Sequence, residues 1–172
     1  MTDLPDLMQG AEPFFHRGNA IGCLIVHGYM ASRNEVGWLG DHLAAKGYTV
    51  YIPRLTGHGI NPEHMKRMRW QDFYAQVLDS YHILRQQCDR VIVIGHSMGG
   101  LLSILLATIK PIDGLVIVAS PIRDPDPRMK HGRLISWLMS SASAMTSEDM
   151  QEIVREEQRR RNEPVIGRTN YT

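Results

Sequence analysis

Along the first 121 residues, apolar runs of strand length alternate with segments in which apolar positions recur at i, i+3, i+4 and i+7. Ala20-Ile21-Gly22-Cys23-Leu24-Ile25-Val26 is nearly all apolar, as a strand buried on both faces must be. Phe14-Phe15-His16-Arg17 precedes it across the turn pair Gly18-Asn19, so the chain is expected to open with a β-hairpin. Ser32 with Glu35 three residues later reads as a capping box, after which Val36, Leu39 and Leu43 share one helical face until Gly47 stops the helix. Residues 48–53 read as the next strand. Trp70, Phe73, Tyr74, Val77, Leu78, Tyr81 and Leu84 keep helical spacing for four turns and predict an aromatic-bearing stripe turned to the core. A strand at 91–94, a buried helix through 101–107 and a strand at 115–119 complete the alternation. The pattern predicts an α/β fold: a mostly parallel sheet covered by helices on both faces.

The pattern changes after Pro121. Asp124-Pro125-Asp126-Pro127 makes a stiff connector, and Leu134, Ile135, Trp137, Leu138 and Met139 lead into a Ser-rich stretch. Thr146 and Asp149 can cap one more helix, running to about Arg161 on a thin apolar face of Met150, Ile153 and Val154. Its Glu156, Glu157, Arg159, Arg160 and Arg161 read as a solvated face with i, i+4 pairs, a partner-binding role being the alternative. The expected organisation is a core over residues 1–121 and a helical cap over 122–172. Within the cap, 129–150 carries Trp137, Leu138, Met139 and Met145, more apolar surface than a linker needs; a lid over a pocket and plain helix packing both fit.

Composition narrows the function classes. The chain has 172 residues, 43% of them hydrophobic and 22% charged, enough for one sizeable core. A formal charge of +1 without a basic stripe gives no footprint for nucleic acid. No apolar stretch approaches a membrane span, and an opening with Asp3, Asp6 and Glu12 does not resemble a signal peptide, so a cytoplasmic location is expected. Cys23 and Cys88 lie in apolar surroundings without metal-ligand spacing and read as packing residues. Small-molecule chemistry without a metal or organic cofactor is the expectation that remains.

That chemistry centres on Gly95-His96-Ser97-Met98-Gly99, a G-x-S-x-G pattern after four β-branched residues and before a buried helix. A serine on a strand-to-helix turn of this kind stands at a strained backbone angle. The residues two before and two after it must therefore be small enough for strand and helix to pass closely, which Gly95 and Gly99 are. Ser97 is the candidate nucleophile; an ordinary Gly-rich turn is the competing reading.

His27-Gly28-Tyr29 after one buried strand, Arg54-Leu55-Thr56-Gly57-His58-Gly59 after the next, and the serine motif after a third stand in the order seen in α/β-hydrolases. With Lys46-Gly47-Tyr48-Thr49-Val50, the chain resembles the small bacterial carboxylesterase and monoacylglycerol lipase branch of that superfamily, closely over 11–121 and by position beyond. The resemblance implies that Ser97 attacks a carboxylic ester and that the backbone N–H groups of Tyr29 and Met98 form the oxyanion hole. It implies no metal and no cofactor, and a small acyl ester as the partner. His27 and His58 are expected to brace their loops, and His96 to point away from the Ser97 hydroxyl.

A serine nucleophile needs a base and an orienting acid, which in this fold follow it in the order Ser, Asp or Glu, His. After Ser97 the chain offers only His131, in a connector, and Asp124 and Asp126, beside prolines. The triad acid and base are thus expected to be absent, and the strand at 115–119 to present an apolar edge that a further strand would cover. These observations read as the amino-terminal portion of a longer serine hydrolase, nearly inactive by itself. The competing reading is a non-catalytic binding or interaction protein on the same fold.

Overall fold

The apolar run after Asn19 becomes the central strand of a five-stranded sheet. In the computed structural model, which describes residues 7–121, the elements run β1 (Phe14–His16), β2 (Ile21–Val26), α1 (Arg33–Ala45), β3 (Thr49–Ile52), α2 (Pro62–Lys66), α3 (Trp70–Arg85), β4 (Arg90–His96), α4 (Met98–Ile109) and β5 (Gly114–Val118). The sheet order is β1-β3-β2-β4-β5; β2 pairs in parallel with β3 and β4, and β4 with β5. The readings of 122–172, including the cap, His131, Asp124 and Asp126, lie outside the described residues.

The opening hairpin does not form. β1 pairs antiparallel with β3, Phe15 opposite Tyr51, because both edges of β2 are taken by parallel neighbours. Thr49 guides the crossing: its hydroxyl accepts the Gly18 N–H at 2.9 Å and donates to the Asn19 carbonyl at 2.7 Å, and the Asn19 N–H reaches the Gly47 carbonyl at 2.8 Å. The turn pair is therefore sewn to the end of α1 and the start of β3.

Alternation along the strands sorts side chains into two cores. Leu24 and Val26 of β2 with Val91 and Val93 of β4 face one way, packing with Phe73, Val77, Tyr81 and Leu84 of α3 and Leu102 and Leu106 of α4. Cys23, Ile25, Val50, Ile52 and Ile94 face the other way and pack with Val36, Leu39 and Leu43 of α1. The α3 stripe is core from Phe73 onward, whereas Trp70, the first residue of the helix, is 57% exposed.

Helix ends follow local chemistry. Gly47, at φ +85°, closes α1 by giving its N–H to Ala44 while Tyr48 gives its own to Leu43, satisfying two terminal carbonyls. Ser32 caps the other end, accepting the Asn34 N–H. The expected reciprocal half of that box is absent. The Glu35 carboxylate turns instead to the Gly28 N–H at 2.7 Å, a loop donor with no ladder partner. The sequence reading passed over α2, although Asn61 before Pro62 is a cap-then-proline start, with Asn61 Oδ1 accepting the His64 N–H at 3.0 Å. On the sheet's outer edge among the described residues, β5 leaves Leu115, Val116 and Val118 exposed.

Cys23 and Cys88 are free and buried in different cores. Burial first, and neighbouring Cys88 second, push the Cys23 thiol up to about 11. Because both thiols are buried and the reactive thiolate is also suppressed at Cys23, DTNB at pH 8 should modify the native thiols at under about one-hundredth of the rate seen in urea. Fast modification of both thiols in the folded protein would contradict this packing.

Candidate active site

Parallel pairing brings three loops together. Val26 lies opposite Gly95 and His96 opposite Val118, so the chain leaves β2, β4 and β5 at one end of the sheet. His27-Gly28-Tyr29 emerges beside Ser97, and a Cβ built on Gly28 would stand 3.3 Å from the Ser97 Cβ.

Ser97 occupies a turn that L-residues rarely adopt, at φ 51° and ψ −120°, where strain of about 1–3 kcal/mol must be held by the surroundings. The holding contacts are on its own backbone. Its N–H donates to the Val118 carbonyl at 2.9 Å, and its carbonyl accepts the Gly100 N–H at 3.0 Å and the Ser120 hydroxyl at 2.8 Å. A Cβ at Gly99 would run into the backbone carbonyls of Val26 and His27, and one at Gly95 into the backbone of Gly99 and Gly100. These are backbone obstacles that no rotamer change relieves. At Gly100 the obstacle is a side chain, the Ser120 hydroxyl that bonds the Ser97 carbonyl, so a larger residue there would displace that bond.

Met98 is the first residue of α4, where an N–H has no intrahelical acceptor and the helix dipole is positive. Across from it, His27 governs the loop after β2. Fully buried, it accepts the Leu55 N–H on Nε2 at 3.2 Å, so Nδ1 carries the proton and donates to the Gly28 carbonyl at 3.0 Å. The Gly28 C=O and the Tyr29 N–H belong to one trans peptide and point in opposite directions. Fixing the carbonyl therefore fixes the donor. Tyr29 itself is 49% exposed, and Met30 follows at φ +55°, so the loop is held through its backbone.

Glu35 closes the far side of the loop. Its Oε2 accepts the Gly28 N–H and lies 3.0 Å from His96 Nδ1, off the hydrogen-bond direction, so the ring nitrogen meets a carboxylate without an in-line bond. His58 is buried against the rings of His27 and Phe73, its Nδ1 at 3.1 Å from the Thr56 carbonyl and its Nε2 without a partner among the described residues. The histidine rings thus engage backbone groups or Glu35, and among the described residues none hydrogen-bonds the Ser97 hydroxyl. In this part of the chain no group of three or more His, Cys, Asp or Glu could hold a metal, and no helix is long and apolar enough to cross a membrane.

The structure brings the sequence-named Ser97, Gly95, Gly99 and Tyr29 loop together at one end of the sheet, with Glu35 and Ser120 beside them, which sequence reasoning did not place there. Glu35 carried a signal for a different bond, the helix cap. Ser120 carried none, since a serine after a strand is ordinary.

Desolvation dominates the two buried imidazoles, His27 and His58. Burial lowers His27 from its ordinary 6.5 to about 4, against the Gly28 hydrogen bond that raises it, and burial lowers His58 as well. Between those pH values the unfolded chain binds a proton that folded His27 refuses. Its contribution is intact above pH 6.5 and is lost as pH falls towards 4, by about 3 kcal/mol. Urea midpoints between pH 7.5 and 4.5 should therefore fall less steeply for His27→Gln than for wild type; equal slopes would contradict the assignment.

Comparison with known proteins agrees with this geometry. The family model described as serine aminopeptidase, S33, matches residues 20–168. A thermostable monoacylglycerol lipase of Bacillus sp. (strain H-257) is 34% identical over 160 residues, covering 91% of this chain and 64% of that protein. A carboxylesterase of Bacillus subtilis (strain 168) is 28% identical over 127 residues, covering 73% of this chain and 52% of that protein. A solved structure from work on the metagenome-derived lipolytic enzymes LipS and LipT is similar at TM-score 0.69 and 32% identity, over 73% of this chain and 52% of that one. The chain thus spans between about half and two thirds of the length of these relatives. The strand order, the serine turn and the match over most of its length agree: the chain belongs to the serine aminopeptidase S33 family of α/β-hydrolases.

Proposed function

We propose that this chain carries the nucleophile and the oxyanion site of a serine hydrolase that cleaves carboxylic esters, with short- to medium-chain acyl esters or monoacylglycerols as the substrate class. The observation that carries the reading is the strained Ser97 between β4 and α4, braced by backbone bonds on both of its own polar groups. The relatives named as a monoacylglycerol lipase and a carboxylesterase support the substrate class.

In this reading Ser97 Oγ attacks the acyl carbonyl, forming a C–O bond as its proton passes to a base. The carbonyl oxygen becomes an oxyanion facing the N–H groups of Tyr29 and Met98, donors typically worth about 2.7–4 kcal/mol each. Collapse expels the alcohol and leaves an acyl-Ser97 ester, which water hydrolyses. Acyl transfer of this kind asks for no metal or organic cofactor.

With no imidazole bonded to Ser97 Oγ among the described residues, a non-catalytic binding protein on this fold is the second reading. Loss of the base costs serine hydrolases about 10⁶ in kcat, while the oxyanion site and binding retain about 10³–10⁴ over water.

A fluorophosphonate probe separates the readings. The 172-residue chain should be labelled slowly and at Ser97, Ser97→Ala not at all, and Tyr29→Phe at close to the wild-type rate because the donor is a backbone N–H. Labelling that persists in Ser97→Ala would end the nucleophile assignment. Rapid stoichiometric labelling would show that this chain supplies its own base and would rule out the binding-protein reading.

A further inference from the structure

We propose that Glu35 is a positioning residue of this site: its carboxylate holds the Gly28 N–H, and by restraining the peptide before Gly28 it limits how the following peptide turns about Gly28 to present the Tyr29 N–H to the acyl oxygen. The inference rests on the nucleophile and oxyanion roles proposed above for Ser97 and Tyr29.

The Tyr29 side chain is a weak hold on its own amide: the residue is 49% exposed, its ring meets His58 edge-on with centroids 6.2 Å apart, and Met30 beyond it turns through the left-handed region at φ +55°. Whatever orients the donor must act on the backbone of Gly28. Two groups do. His27 Nδ1 takes the Gly28 carbonyl at 3.0 Å, and Glu35 Oε2 takes the Gly28 N–H at 2.7 Å. The second bond is ionic and short, as a carboxylate accepting a backbone N–H is expected to be. It restrains the peptide before Gly28 as His27 restrains the one after it, so that Gly28, which alone has wide conformational freedom, is clamped on both sides.

The position of Glu35 suits that task. It stands in the first turn of α1, where the helix dipole favours a carboxylate, and its side chain is 30% exposed. A Cβ built on Gly28 would lie 3.1 and 3.2 Å from its two oxygens and 3.3 Å from the Ser97 Cβ, so Gly28 is flanked by the carboxylate and the nucleophile. The same Oε2 lies 3.0 Å from Nδ1 of His96, the residue before Ser97. One carboxylate therefore bonds the β2 loop and touches the end of β4 without an in-line bond, between the two halves that would have to keep a fixed spacing for an oxyanion to fit.

The test is the kinetics of Ser97 modification in the 172-residue chain by a small alkyl fluorophosphonate, followed by intact-mass spectrometry, with Glu35→Ala and Glu35→Gln. A P=O oxygen uses the same donors as an acyl oxygen. Glu35→Ala should lower the maximal inactivation rate by about tenfold, less than the 10²–10³ of a deleted donor, and leave the probe's half-saturating concentration within about twofold. Glu35→Gln keeps an acceptor of the same length and should recover part of the loss. In ¹⁵N–¹H spectra the Gly28 amide proton should move upfield in both variants, furthest in Glu35→Ala.

A folded Glu35→Ala protein with an unchanged maximal rate, or with only the half-saturating concentration raised, would overturn the proposal. If Glu35→Ala does not fold, Glu35→Gln decides, and an unmoved Gly28 resonance with a wild-type rate overturns it. A failure of the underlying reading looks different: the probe would then label Ser97→Ala as it labels wild type.

Discussion

The site depends on one close approach, that of the first turn of α4 to the end of β2. At Gly99 the helix backbone passes the carbonyls of Val26 and His27 with no room for a Cβ, and at Gly95 the strand passes Gly100 equally closely. That approach stands Ser97 at the mouth of the sheet in a strained conformation. It also sets the loop after β2 beside the serine. Moving α4 outward by the width of a methyl group would carry Ser97 away from the loop that bears Tyr29.

Around this approach the chain spends its buried polar groups on backbone, not on other side chains. His27 ties Gly28 to Leu55, Ser120 ties β5 to Ser97, and Thr49 ties the opening turn to β3. Each replaces a ladder bond that a loop lacks, which keeps loop donors and acceptors satisfied without a second layer of structure. In the proposed reading, the consequence for chemistry is that the N–H groups of Tyr29 and Met98 would be held by the fold before any ligand arrives. Preorganised donors of this kind favour developing charge because they need no reorientation during reaction.

Periodicity made the layers legible. The all-apolar β2, the Val36, Leu39 and Leu43 face of α1 and the stripe of α3 all follow from spacing, and the serine turn from its glycines. What spacing could not reveal was partnership. The Gly18-Asn19 turn suits a hairpin as well as a crossing, and only the occupation of both edges of β2 decides for the crossing. Glu35 shows the same limit at the site, since a helix-capping pattern and a loop clamp use the same residue at the same position. His27 shows the converse. Its bracing role was expected, but the trans peptide that turns this brace into control over the Tyr29 N–H emerges only in three dimensions.

The central claim is that Ser97, strained and fixed, faces two backbone donors. A crystal structure of the Ser97 phosphonate adduct tests it most directly. The account expects the P–O oxygen within about 2.7–3.1 Å of both the Tyr29 and the Met98 nitrogens, with Ser97 still at positive φ. An adduct whose oxygen turns to solvent, or a Ser97 relaxed to negative φ, would contradict it.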